Sequence, residues 1–315
     1  MKVSDSQPSR KVPYVNLAAQ VEEEREDLMP LVMAALARAD HVLGAAVGEL
    51  ETALAAWHGS KYAVALNSGT DALMLSMMVQ GIGRGDEVIT PVNSFVASTS
   101  TVVHVGARPV LVDALPDQNL DPAAVERAIT PRTKAIMPVH LTGRMADMDA
   151  VMAIARRHRL AVIEDAAQAV GSRYRGRLSG TFGDFGCFSA HPLKNLNACG
   201  DAGFLVTDRD DVIGRLRRLP KHGLVDRNTM AEFGMVSRLD TIQASILLMR
   251  LGRLPGVFER RRHNAALYRE RLDPAHVFMP PCQPHEYNTF HTFVIQVDRR
   301  DALQAWLSEH GIGTG

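Results

Sequence analysis

Lys194 stands in the run CFSAHPLKNLNACGDAGFLVT, residues 187–207. Upstream, EDAAQ supplies Asp165 and Gln168, and NSGTDAL supplies Ser68, Gly69, Thr70 and Asp71. A lysine that can lose its proton forms an imine with an aldehyde. A carboxylate beside a pyridine nitrogen keeps that nitrogen protonated, so the ring acts as an electron sink. A Gly/Ser/Thr turn entering a helix offers free backbone N–H groups and a positive dipole end to a phosphate. Together these are the requirements of pyridoxal 5'-phosphate. Alone, each piece has a plainer reading. Lys194 resembles any surface lysine, Asp165 an N-cap for a helix over AAQAV, and Ser68 or Thr70 an ordinary cap. Their order along the chain, each at a suitable structural position, carries the signal.

The neighbouring residues refine this reading. Lys194 lies in a Gly- and Asn-rich loop, where desolvation and local positive charge both favour the neutral amine. Glu164 competes with Asp165, but strand alternation puts it on the opposite face. Gln168 is placed to donate to the ring's phenolic oxygen. Ser189, five residues before Lys194, is a further phosphate donor. Phe95, in TPVNSFVAS, is placed to stack on the pyridine face, with core packing as the alternative. His140, His191 and His222 rank second as proton carriers. GIGRGD matches neither a dinucleotide fingerprint nor a Walker loop.

Short apolar runs at 62–66, 87–90, 108–112, 134–139, 161–163, 185–189 and 203–207 predict seven strands. Helical patterns fall at 17–39, interrupted at Pro30, and at 47–58, 70–79, 97–105, 122–129 and 148–158. Strands alternating with helices predict an α/β fold: a mainly parallel seven-stranded sheet sandwiched by helices. Ligands of such sheets bind beyond the carboxyl ends of the strands, where Ser68–Asp71, Asp165 and Ser189 all stand. A helical stretch at 239–271, with a break near Pro255, connects to a smaller unit with one strand, 290–297, and one helix, 301–310. The expected organisation is a flexible N-terminus (1–15), a large cofactor-binding α/β domain (16–252) and a partial small C-terminal α+β domain (253–315).

Composition narrows the class. Lys+Arg and Asp+Glu both number 35, which argues against a general nucleic-acid binder. Three scattered cysteines make neither a disulfide framework nor a zinc cluster and fit a reducing cytoplasm. No apolar run reaches the ~18 residues of a membrane helix, and the N-terminus has no signal-peptide pattern.

NSGTDAL, GIGRGDEVITP, DPAAVERAITPRTKAIMPVHL, VIEDAAQAVGSRYRGR, FGDFGCFS, KNL, GDAG and SRLDTIQA together resemble the DegT/StrS-type (DegT/DnrJ/EryC1/StrS) sugar aminotransferases, fold type I enzymes that use pyridoxal phosphate. The resemblance runs from Tyr14 to the last residue. It implies Lys194 as imine lysine and proton shuttle, Asp165 on the ring nitrogen and Gln168 on the ring oxygen. It implies Gly69, Thr70, Asp71 and Ser189 around the phosphate, Phe95 on the ring, and Arg238 in a segment reaching a neighbour's site. It also implies a homodimer with shared sites, L-glutamate as amino donor, and a nucleotide-linked keto-sugar as acceptor in amino-sugar biosynthesis.

The chain departs from the family pattern in places. Val236 stands where an asparagine is common, with Ser237 as a substitute. Ala190, His191 and Thr142 replace aromatic-rich positions expected to face the site and set the sugar preference. Family members also continue for roughly 50–60 residues beyond GIGTG, so the small domain reads as truncated, with the 290–297 strand as an exposed edge and activity and solubility reduced. Two other readings share the fold. A sugar dehydratase would carry histidine in place of Lys194. A regulatory relative would bind ligand without turnover.

Overall fold

Seven short apolar runs form strands whose side chains point alternately to the two faces of the sheet, so both faces are buried and each recruits its own helices. The computed structural model describes residues 11–315; residues 1–10, most of the expected flexible N-terminus, lie outside the described residues. In chain order the elements are α1 (Leu17–Arg38), α2 (Ala45–His58), β1 (Tyr62–Leu66), α3 (Gly69–Val79), β2 (Glu87–Pro91), α4 (Val96–His104), β3 (Arg108–Val112), α5 (Pro122–Ala128), β4 (Thr133–Ile136), α6 (Met148–His158) and β5 (Ala161–Asp165). Short strands β6 (Arg173–Tyr174) and β7 (Arg177–Leu178) precede β8 (Phe185–Ser189) and β9 (Gly203–Thr207). Then follow α7 (Ile213–Arg218), the hairpin β10 (Leu224–Asp226) and β11 (Thr229–Met230), α8 (Thr241–Arg271), β12 (Glu286–Tyr287) and α9 (Arg300–Glu309).

The central sheet has the order β1-β9-β8-β5-β4-β2-β3. Every strand runs parallel to the others except β9, which is antiparallel to β1 and β8. All seven strands lie where the sequence pattern places them. The reversal of β9 leaves no mark on that pattern, because alternation is the same read in either direction. Val64, Val88, Ala135, Ile163, Cys187 and Leu205 face α3, α4 and α7. On the other face, Ala63, Ala65, Phe188 and Phe204 meet α2 and α8, while Ile89, Ile136 and Val162 meet α5 and α6. A fully buried side chain of this size contributes roughly 1.5–3 kcal/mol. A one-residue slip would turn each set toward the wrong helices, so packing pins the register.

Three local expectations fail, each for a tertiary reason. The helix expected to be interrupted at Pro30 runs through it, and α8, expected to break near Pro255, runs through that residue for 31 residues in all. An interior proline costs about 3 kcal/mol. In α8 the burial of Leu247, Leu251, Leu254 and Phe258 outweighs it. Residue 252, the expected domain boundary, therefore lies inside α8. The expected strand at 290–297 does not form either. Phe290 takes a left-handed φ of 48°, and its carbonyl and that of His291 accept from Arg261 Nη1, each at 3.0 Å. Side-chain donors replace a strand partner, and only Gln296 bridges, to Phe278.

Pro30 is exposed and its ring contributes nothing to the core. Pro30→Ala restores a helical N–H, so it is expected to stabilise the protein by about 1–3 kcal/mol. A urea midpoint that does not rise would contradict this account of α1.

Candidate active site

Strand β5 ends on two adjacent carboxylates that alternation sends to opposite faces. Glu164 is fully buried and fully bonded. Its Oε2 accepts from Gly180 N (2.8 Å) and its Oε1 from Phe182 N (2.6 Å) and Gly183 N (2.7 Å). His140 Nε2 donates to it at 2.9 Å, because Ala146 N donates to Nδ1 at 3.2 Å and so leaves the ring proton on Nε2. His140, one of the second-rank proton carriers, is thereby committed to holding the 179–183 turn. Asp165 is the less satisfied acid. It is 5% exposed, accepts from Ser98 Oγ at 2.7 Å and from Ala167 N at 3.2 Å, and burial pushes its carboxyl above the usual range. The helix expected over AAQAV is a turn instead, and the Ala167 bond is that turn's local anchor.

Lys194 approaches from the loop between β8 and β9. Burial pushes its ammonium below the ordinary lysine range, while the Asp165 carboxylate pulls it back up. Of the two influences expected from sequence, desolvation operates. The charge acting on Lys194 is negative rather than positive. Two unlike groups thus share one dry site: an acid held toward its neutral form and an amine held toward its neutral form. Such pairs cluster at sites of proton transfer.

The turn at Ser68 depends on close backbone approach. Ser68 Oγ caps α3 by accepting from Asp71 N at 3.1 Å. A Cβ on Gly69 would stand 2.9 Å from Ser189 Cβ, and one on Gly203 would stand 2.2 Å from the Ser68 carbonyl carbon. Leu66 and Ser189 both pair with Gly203, so β9 brings the turn and Ser189 to one end of the sheet. Thr70 and Ser189 are half-buried there. Asp71 does something else. Its Oδ2 accepts from Ser237 Oγ at 2.8 Å, and Asn67 N donates to that same hydroxyl at 3.2 Å. An acceptor-only carboxylate adds nothing to a phosphate cradle; here it braces the segment carrying Arg238. Ser237 is spent in that brace and is not available to replace the asparagine missing at Val236. Arg238 lines a cavity of about 230 Å³ with Arg217 and Lys221.

Gln168 is oriented by a bond that identifies its ends. Thr142 N donates to Gln168 Oε1 at 2.7 Å, which leaves Nε2 as the donor end. Thr142 holds a left-handed φ of 62°, unusual for a β-branched residue. Phe95 is 70% exposed at the start of α4, which removes the core-packing alternative. Ala190, expected to face the site, is fully buried among Leu196, Phe204 and Leu247. Its neighbour Ser189 ends β8, and alternation turns Ala190 inward. His191 is exposed.

Two residues escaped the sequence reading. Ser98 is one helical turn after Phe95, and that spacing was the available signal. His291 lies in the segment misread as a strand. Burial, Lys194 and Arg261 push its imidazole down to about 3, and its buried Nδ1 has no hydrogen-bond partner among the described residues.

The donor set fits a phosphorylated pyridine aldehyde: a desolvated amine, a buried acid, an amide donor and a glycine-lined turn. A DegT/DnrJ/EryC1/StrS aminotransferase family model matches residues 22–315. A protein of Geobacillus stearothermophilus named pleiotropic regulatory protein is 40% identical over 96% of this chain and 82% of its own. The dTDP-3-amino-3,4,6-trideoxy-alpha-D-glucose transaminase of Streptomyces venezuelae is 41% identical over 96% of this chain and 81% of its own. The crystal structure of NtdA from Bacillus subtilis with bound cofactor PMP superposes with a TM-score of 0.90 at 32% identity, covering 99% of this chain and 73% of that one. On the family match over nearly its whole length, this chain belongs to the DegT/DnrJ/EryC1/StrS aminotransferase family, whose cofactor is pyridoxal phosphate.

Proposed function

We propose that the chain transfers an amino group from L-glutamate to a nucleotide-linked keto-sugar, in amino-sugar biosynthesis for a cell-surface polysaccharide or a secondary metabolite. The observation that carries this reading is that the buried Asp165 at the end of β5, the Ser68 turn packed on Ser189 and the Lys194 loop that follows β8 meet at one end of the sheet. Pyridoxal phosphate supplies an imine-forming aldehyde and an electron sink when bound. Lys194 Nζ, disfavoured as an ammonium by burial, accepts and returns the proton at the substrate carbon. Asp165, oriented by Ser98 and Ala167, faces the ring nitrogen. A cation there offsets the cost of burying its charge. Gln168 Nε2 would donate to the ring oxygen. The Gly69 and Thr70 amides and the Ser189 hydroxyl would hold the phosphate. Phe95, exposed at the start of α4, would stack on the ring.

Residues 16–252 form the cofactor domain in this reading and 253–315 part of a smaller one, with α8 common to both. Arg238 extends toward the active site of a second copy in a homodimer. The donor and acceptor are small molecules. The compartment is the cytoplasm, in keeping with three cysteines that form no disulfide and with the lack, among the described residues, of any helix long and apolar enough to cross a membrane. The relative named as a regulatory protein favours one second reading, ligand binding without turnover.

Visible absorption separates the two. With pyridoxal phosphate the protein is expected to show a lysine-linked band that L-glutamate converts to the pyridoxamine form. Lys194→Ala is expected to lose the band and at least about 10³-fold in turnover. A band unmoved by any amino donor would favour the regulatory reading. Asp165 yields a second expectation. Its folded pKa is raised, so the folded state holds the proton more tightly than the unfolded chain, and stability is lost as pH rises through that folded pKa. Asp165→Asn should therefore raise the cofactor-free thermal midpoint at pH 8 by about 2–4 °C while abolishing turnover. A midpoint that falls at pH 8 would mean the acid is not strained in the free protein.

A further inference from the structure

Behind the Lys194 loop lies a buried ionic cluster that the amino-transfer chemistry does not use. Arg250 of α8 is 5% exposed and Glu24 of α1 is 7% exposed. Arg250 Nε and Nη2 both donate to Glu24 Oε2, at 2.9 and 2.6 Å. Its Nη1 donates to the main-chain carbonyl of Asn197 at 2.8 Å. Asn197 is itself buried and exchanges amide hydrogen bonds with Gln20 of α1, at 3.1 and 3.0 Å. Its Nδ2 also donates to the carbonyl of Pro192 at 2.8 Å. Pro192 and Asn197 bracket Lys194. The guanidinium therefore ties α1 and α8 to Asn197 at one end of the lysine loop, and the Asn197 amide carries the tie to Pro192 at the other.

Stability alone does not account for this arrangement. The desolvation of a buried ion pair offsets much of its attraction, and well-packed apolar residues in its place are often as stabilising. The same helices already meet the core through apolar Leu28, Ala35, Leu247 and Leu251. An apolar pair lacks a donor for the Asn197 carbonyl. The other flank of the loop leads back to α8 as well. Asn195 Nδ2 donates to the Thr289 carbonyl at 3.4 Å, and the adjoining carbonyls of Phe290 and His291 accept from Arg261. Along α8, Arg250, Leu254, Phe258 and Arg261 recur at helical spacing, so one face of one helix holds the loop from both sides.

We propose that Arg250, locked by Glu24, is a positioning residue for Lys194: it holds the 192–197 loop so that Nζ is presented to the cofactor without a search by the loop. This assignment rests on Lys194 being the cofactor lysine, but its test does not need turnover.

Two variants are compared with the parent: the double replacement Glu24→Leu/Arg250→Met, and Arg250→Lys, which keeps a cation for Glu24 but not the forked donors. Amide exchange is read by mass spectrometry on the cofactor-free protein. Exchange across 192–197 is expected to rise about tenfold in both variants, with β1 and α3 unchanged. The double variant is expected to melt within about 5 °C of the parent. With cofactor bound, the glutamate half-reaction is expected to slow about tenfold at unchanged KM. Unchanged exchange in the loop of a folded variant overturns the proposal. So does a uniform rise across α1, α8 and the loop, which is the signature of a purely structural pair. If the double variant fails to fold, the same comparison on Arg250→Lys decides. Positive exchange results without glutamate chemistry would remove the transaminase reading and leave the positioning role standing.

Discussion

A carboxylate buried at the end of β5 is the constraint around which the site is arranged. Glu164 and Asp165 are neighbours in sequence and both are removed from water, yet their fates differ. Glu164 meets three backbone amides and an imidazole, so both of its oxygens are hydrogen-bonded. Asp165 meets one hydroxyl and one amide. The difference comes from strand alternation, which directs one acid into the 179–183 turn and the other toward Lys194. An under-satisfied buried acid is a cost to the empty protein, which a cationic ring beside it would offset. Stability and function are thus opposed at this one residue.

The remaining groups are brought to that acid by backbone contacts that exclude a side chain. Gly69 and Gly203 let the Ser68 turn, Ser189 and β9 approach to van der Waals distance. Gly143, at a φ of +91°, admits the backbone of Phe290 and His291 against the turn that orients Gln168. These positions need glycine because of what lies beside them. They make the site a property of the packed sheet end, with each functional side chain supplied by a different element.

How much of this was legible in the chain follows from the range of the forces involved. Strand and helix positions depend on local alternation, and those of the sheet were readable to within a few residues. Lys194, Asp165, Gln168 and the turn at Ser68 could be nominated from the chain, because the proposed chemistry demands particular residue types beside strand ends. Pro30 and Pro255 misled, since their local penalty is smaller than the burial energy of the helices that contain them. The 290–297 segment misled for the converse reason: it is rich in strand-favouring Phe, Val and Ile, but the carbonyls of Phe290 and His291 found Arg261.

The sequence by itself determined the fold class and the family, and it nominated the groups proposed to meet pyridoxal phosphate, because patterning and residue chemistry are written one position at a time. The tertiary structure alone decided the antiparallel course of β9, the diversion of Asp71 and Ser237 into a brace, the arrival of Ser98 and His291, and the Glu24–Arg250 lock behind the lysine loop. Each of these joins residues far apart in the chain. Such contacts arise from geometry that no local propensity encodes.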